Sequence, residues 1–328
     1  MSRRLVSLLM VTAAVVLVPF RAPAPLVYTP GEGWTYEPVG GGGSWQRPRA
    51  KDQLAVAQAA FDQKDYRLAL KAARRVVKTW PLSDYAPAAQ YLVGRAYEAK
   101  KNDERAFKEY QTLITKFPKS EHLQDALQRQ YTITLRFLGG QRFWLWGYIP
   151  LFPSMEKTEK MFTTIVANAP YSDVAPQSQI NIGVAHEKQK QYEEAVTAYE
   201  RAADRYSGQP AVAAEALYRA GMAYQKQAKL AGYDQSASGK AMATLTDFMT
   251  LFPDDPRVPQ AKKTMESLKG EQAHGSYNIA KFYEKRKKWS GALVYYNEVL
   301  LQDPNSPFAT QARQRIDDIK KRFQVAAQ

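Results

Sequence analysis

The sequence predicts an all-α fold, a superhelix of about six stacked helix hairpins followed by one terminal helix. Three observations carry this. Small residues, alanines and prolines recur at a fixed spacing. Alanine, leucine, lysine, glutamate and glutamine, all good helix formers, are abundant. No window alternates apolar and polar residues long enough for a sheet. The chain has 328 residues, 45% of them hydrophobic, a formal net charge of +14 and no cysteine. That length suits a repeat array or two domains.

Residues 1–24 begin with Arg3 and Arg4 and continue into the apolar run Leu5 to Phe20. A basic stretch followed by an apolar run too short for a comfortable span reads as a signal peptide. Pro25 follows the small-residue site Ala22-Pro23-Ala24 and disfavours cleavage, so an uncleaved anchor is the other reading. Residues 25–50 are dense in proline and glycine and read as an extended linker. Gly40 to Gly43 is a spacer and not a phosphate loop, because no Gly-Lys-Ser/Thr follows. Trp34, Tyr36 and Trp45 hint that parts of this linker dock.

The repeats occupy residues 51–256, and residues 257–328 add a long helix, the last repeat and a C-terminal helix. Gly94, Ala106 and Pro118 are spaced by twelve and twelve. So are Ala57, Ala69 and Pro81, then Gly183, Ala195 and Ser207, then Ala280, Ala292 and Pro304. Small residues let two helices cross closely, and the proline ends the second helix. Pro81 to Pro118 and Pro170 to Ser207 are both steps of 37 residues. One hairpin cannot bury its apolar face alone, so such units stack.

Two units depart from the spacing. In the third, the helices are expected at about 121–136 and 154–168, with residues 137–153, "FLGGQRFWLWGYIPLFP", inserted between them. In the fifth, Gly221 and Ala241 are twenty apart, and "KLAGYDQSASG" supplies the excess. The stretch before the sixth unit reads as a lengthened helix, and about 307–323 as the terminal one.

These residues resemble the tetratricopeptide repeat over about residues 51–306. The C-terminal region, "AHGSYNIAKFYEKRKKWSGALVYYNEVLLQDP" after "LFPDDP", is similar to the BamD-type outer-membrane assembly factors. That resemblance implies a non-catalytic periplasmic scaffold, associated with the outer membrane. Its implied partners are outer-membrane assembly proteins or unfolded barrel peptides. The family is normally lipidated on a cysteine, which this sequence lacks. The first two units resemble almost as well the periplasmic repeat proteins that coordinate Tol–Pal or cell-wall complexes. An adaptor for secretion or polysaccharide export is a third reading.

The sequence offers no catalytic constellation, cofactor site or metal site. His122, His186 and His274 are far apart, without metal-ligand spacing. Adjacent acids such as Glu193-Glu194 do not converge on a helix. The basic runs at 73–78, 284–289 and 320–322 read as solvated faces, or as contacts with anionic lipid or acidic partners. An export signal argues against nucleic acid, and no small-molecule substrate is indicated.

Partner-binding candidates follow from solenoid geometry, in which the first helix of each hairpin lines the recognition face. They are Tyr91, Arg95 and Glu98; Tyr218, Met222 and Gln225; and Tyr277, Lys281 and Glu284. Such an aromatic–cation row suits an extended peptide. The insertion adds Phe143, Trp144, Trp146 and Tyr148. Three readings stay open for it: a cap folded over a neighbouring unit, a wedge for a partner protein, or a contact with the outer-membrane surface.

Overall fold

The computed structural model describes residues 26–31, 33–36, 45–145, 149–150, 152–230 and 235–326. The N-terminal segment read as a signal peptide, Gly40 to Gly43, and Trp146 and Tyr148 lie outside them. Among the described residues the fold is all-α, with thirteen helices forming six hairpins and a terminal helix. The chain divides into two compact units, residues 1–130 and 131–328.

Unit 1 opens with a β hairpin, β1 (Leu26–Thr29) paired with β2 (Gly33–Tyr36). Part of the stretch read as linker is therefore ordered. Aromatic and β-branched residues suit the strands, and Gly31, at φ +80°, makes the turn. The Gly31 carbonyl accepts from the Asp84 N–H at 2.7 Å, which ties the hairpin to the helices. Trp45 docks too: Lys71 lies over its ring, and its carbonyl accepts from Gln53.

Four helices follow: α1 (Ala50–Asp62), α2 (Tyr66–Thr79), α3 (Ala86–Ala99) and α4 (Asp103–Lys116). The division between units falls within α5 (Leu123–Leu138). Unit 2 continues with the short pair β3 (Trp144–Leu145) and β4 (Ile149–Pro150). The remaining helices are α6 (Met155–Asn168), α7 (Ala175–Lys188), α8 (Tyr192–Arg205), α9 (Pro210–Leu230), α10 (Gln235–Leu251), α11 (Val258–Lys285), α12 (Trp289–Gln302) and α13 (Pro307–Ala326).

Local rules set these boundaries. Helices α2, α4, α6, α10 and α12 each stop two residues before a proline. The intervening residue is forced out of the helical region. Trp80, Phe117 and Ala169 accordingly sit at φ near −130° to −145° with ψ near 60–70°. The turns inside hairpins 1, 2, 4 and 6 are also alike. Lys64, Lys101, Lys190 and Lys287 each take a left-handed φ, between 57° and 63°. The next N–H then reaches back to the helix, as from Asp65 to Ala60 and from Asn102 to Tyr97, in a Schellman motif. A lysine there strains the backbone by about 1–2 kcal/mol, offset by the satisfied carbonyls. Asp65, Asn102 and Ser154 cap the helices that follow.

The core lies where paired helices cross. A Cβ on Gly94 would come within 2.5 Å of the Tyr110 ring, and one on Gly183 within 2.4 Å of the Tyr199 ring. Glycine lets these fully buried tyrosines lie flat on the opposite backbone. In unit 2, α7, α8 and α9 close one cluster around Ile180, Tyr199 and Ala220. Helices α9, α10 and α11 close a second around Leu245 and Phe248. Helix α13 covers the last, laying Ile316 and Ile319 on Tyr296 and Val299.

Candidate protein-binding site

In unit 1, helices α1 and α3 and the start of the next hairpin border a cleft of about 470 Å³. Phe61, Tyr85, Tyr91, Arg95 and His122 line it. Tyr91 stacks on His122 at 4.3 Å with the rings 14° apart. Its hydroxyl donates to Asp125 and accepts from Arg129 Nε at 3.1 Å and Arg95 Nη1 at 3.2 Å. Arg95 also lies over Phe61, 5.4 Å from the ring centre. Partial burial pushes the Asp125 carboxyl up, but the bonds from Tyr91 and Arg129 outweigh it and hold it below its ordinary 3.8. The carboxylate is therefore ionised at neutral pH and fixes Tyr91 and Arg129, while Arg95 is held by the tyrosine hydroxyl. The result is a wall of flat aromatic faces beside a guanidinium, able to receive an aromatic side chain and a carbonyl or carboxylate.

Glu98 has a different place. It accepts from the Tyr110 hydroxyl at 2.8 Å and from Arg129 Nη1 at 3.1 Å, as a packing group between helices. Glu284 is held in the same way by Tyr296 and Arg315. Helical spacing alone could not separate these glutamates from the open cleft.

In unit 2 the candidate residues pack against the second helix of their own hairpin and the helix that follows it. Tyr218 packs on Phe248 at 5.4 Å under the Arg257 guanidinium, which Asp255 and Glu215 hold. Met222 Sδ lies 3.9 Å from Thr264 Oγ1. Tyr277 packs on Phe308 and Tyr296, both at 5.6 Å, with Lys281 Nζ 5.7 Å from its ring. Tyr218 with Met222, on α9, and Tyr277 with Lys281, on α11, thus form two separate sites of inter-helix packing.

The insertion divides as well. Phe143 is 3% exposed and stacks on Phe137 at 4.2 Å, with Lys157 Nζ 5.0 Å from its ring. Trp144 is 47% exposed in β3, and Phe152 is 87% exposed. Sequence reasoning missed Phe61, Tyr85, His122 and Asp125. Phe61 did carry a signal, since it stands four residues after Ala57 as Glu98 does after Gly94, whereas Tyr85, His122 and Asp125 stand outside that spacing.

Among the described residues no cluster of three or more His, Asp or Glu side chains could hold a metal ion. His186 Nδ1 pairs with Gln191, and His274 stacks on Phe308. No described helix is long and apolar enough to cross a membrane.

Residues 54–121 match the tetratricopeptide repeat family, and residues 153–303 match the outer membrane lipoprotein family. The second match runs from just before α6 through α12. The chain is also 26% identical, over 139 residues, to the outer membrane protein assembly factor BamD of Caulobacter vibrioides. This is a tetratricopeptide-repeat protein that resembles BamD. The alignment takes in 42% of this chain and 45% of the BamD sequence, so under half of that relative is spanned. Among solved structures, the C-terminal part of a repeat protein from Cytophaga hutchinsonii is similar over 80% of this chain and 87% of its own. Its identity is 15% and its TM-score 0.36. YrrB, described as a repeat protein with an unusual peptide-binding site, is similar over 66% of this chain and 92% of its own, at 15% identity and a TM-score of 0.35. The part matched by the outer membrane lipoprotein family thus carries Tyr218 and Tyr277, and Tyr91 and Arg95 fall in the part matched by the general repeat.

Proposed function

We propose that this chain is a non-catalytic scaffold at the periplasmic side of the outer membrane, binding proteins or unfolded segments during β-barrel assembly. The observation that carries the reading is the outer membrane lipoprotein match across α6 to α12. The BamD relative supports it. In this reading the Tyr91–Arg95 cleft receives a peptide carrying an aromatic residue. Trp144 and Phe152, both solvent-facing, touch a partner or the outer-membrane surface. Such contacts would help hold the chain there.

Depletion of the protein tests the proposal. Folded outer-membrane barrels should fall while inner-membrane proteins stay level. Unchanged barrel levels, with a defect confined to the cell wall or division, would overturn it.

A further inference from the structure

Eighty-nine residues separate Pro81 from Pro170, Gly94 from Gly183 and Tyr110 from Tyr199. The trio α2, α3, α4 in unit 1 and the trio α6, α7, α8 in unit 2 are therefore two versions of one arrangement. A first helix forms the floor between two second helices. One floor bond is kept: Gln90 Nε2 donates to the Glu109 carbonyl at 3.0 Å, and Gln179 Nε2 to the Ala198 carbonyl at 3.1 Å.

In unit 1 the space above the floor is filled. Tyr97 rises from α3, Arg74 donates to its hydroxyl at 2.5 Å and bridges to Glu109 at 3.2 Å, and Arg105 lies 5.8 Å from its ring. In unit 2 all four positions change. Arg74 corresponds to Thr163, Tyr97 to His186, Arg105 to Glu194 and Glu109 to Ala198. The outcome is a groove of about 1010 Å³ between α6 and α8, with buried Val166, Ile182 and Ala198 among its lining residues. The last hairpin is filled again at this level, where Tyr283 stacks on Tyr295 at 5.5 Å.

The groove is open along α8 from Glu194 to Arg205, about 17 Å at 1.5 Å per residue. Its volume stands at the top of the ~300–1,000 Å³ range of small-molecule pockets, but it is an open trough and not an enclosed cavity. Its charges are ordered. Glu159 and Glu194 line it early in α6 and α8, and Arg201 and Arg205 late in α8, with Asp204 between the two arginines.

We propose that this groove is a docking site for an amphipathic helix of a partner protein, about three turns long, with its apolar face over Ala167 and the outer edges of Val166 and Ile182. Cations belong near a helix C-terminus and anions near its N-terminus. The partner's acidic first turn therefore meets Arg201 and Arg205, and its basic last turn meets Glu159 and Glu194. It runs antiparallel to α8, as a helix laid into a groove. The inference goes beyond barrel assembly and does not depend on it, since it concerns the chemistry of the groove alone.

The probes are two synthetic helical peptides with the same Leu/Ala face. One has Glu in its first turn and Lys in its last, and the other has these charges exchanged. Titrated against the full chain at low salt, the first should bind about tenfold more tightly. The filled variant Thr163→Arg, His186→Tyr, Glu194→Arg, Ala198→Glu reproduces the unit 1 residues and should lose that binding at an unchanged melting temperature. If that variant does not fold, Arg201→Glu with Arg205→Glu, both on the exposed side of α8, should remove or reverse the preference between peptides. Equal binding of the two peptides to the native chain, or an undiminished preference in either folded variant, overturns the proposal.

Discussion

The Tyr110 hydroxyl donates to the Glu98 carboxylate at 2.8 Å, over the close crossing of α3 and α4 at Gly94. The bond recurs as Tyr199 to Glu187 at 2.6 Å and as Tyr296 to Glu284 at 2.5 Å. Each glutamate stands four residues after the small crossing residue, and each tyrosine sixteen after it. Each carboxylate also holds a cation from the next first helix: Arg129, Lys226 and Arg315. One carboxylate thereby links the inside of a hairpin to its successor. In hairpin 5 the corresponding places are Gln225 and Leu245, and the link is replaced by apolar packing of Leu245 on Gly221.

Removing the hydroxyl tests the link. Tyr110→Phe or Tyr199→Phe should each lower stability by about 1.5–3 kcal/mol, the range for a hydrogen bond to a charged group. Gly94→Ala should cost about 1–3 kcal/mol by overpacking against the Tyr110 ring. Urea unfolding followed by circular dichroism reads both, as midpoints at lower urea.

The pH dependence follows from the same groups. Burial raises the Glu284 carboxyl, but bonds from Arg315 and Tyr296 outweigh it and leave it below its ordinary 4.5. Asp125 likewise lies below 3.8. A depressed folded value gives stability that is present above the ordinary value and lost as pH falls through the folded one. Burial, and then the adjacent glutamates, raise Tyr110 and Tyr199 above the ordinary 10.0. A raised value gives stability that is present below 10.0 and lost as pH climbs past it. The melting temperature should hold a plateau between these limits, fall below about pH 4.5 and fall again above pH 10.

The insertion should respond residue by residue. Phe143→Ala opens a cavity beside Phe137 and should cost about 3–5 kcal/mol. Trp144→Ala, at a half-exposed position, should stay within about 0.5 kcal/mol while weakening partner or membrane recovery. Thermal melts and co-fractionation of the two variants, side by side, separate these effects.

The cleft in unit 1 has its own test. Tyr91→Ala or Arg95→Ala should weaken binding of an aromatic-containing peptide several-fold, measured by fluorescence anisotropy. Glu98→Ala should mainly lower the melting temperature, because Glu98 joins Tyr110 to Arg129.

Much of the fold was legible in the sequence because backbone rules write it there. Proline at 81, 118, 170, 253 and 304 ends helices whatever surrounds it, and Gly94 and Gly183 mark crossings that admit no side chain. The hairpin at 26–36 was hidden, since four-residue strands are too short to show alternation and proline and glycine read as linker. The site was legible only in part. Tyr91 and Arg95 could be placed on a first helix by period. Whether such a residue lines an open cleft, as Arg95 does, or packs against a buried partner, as Glu98 does, depends on residues 12 to 31 positions away. The groove at α6–α8 arises from four residues that do not fill it, a pattern visible only once Tyr97 and Arg74 are seen filling its counterpart.

The most direct test of the central claim is affinity recovery of the tagged chain from solubilised cell envelopes, with the co-purifying proteins identified by mass spectrometry. A BamD-like scaffold should bring down an outer-membrane β-barrel protein that carries periplasmic domains, in stoichiometric amount. Recovery of inner-membrane or peptidoglycan-associated proteins alone would contradict the account.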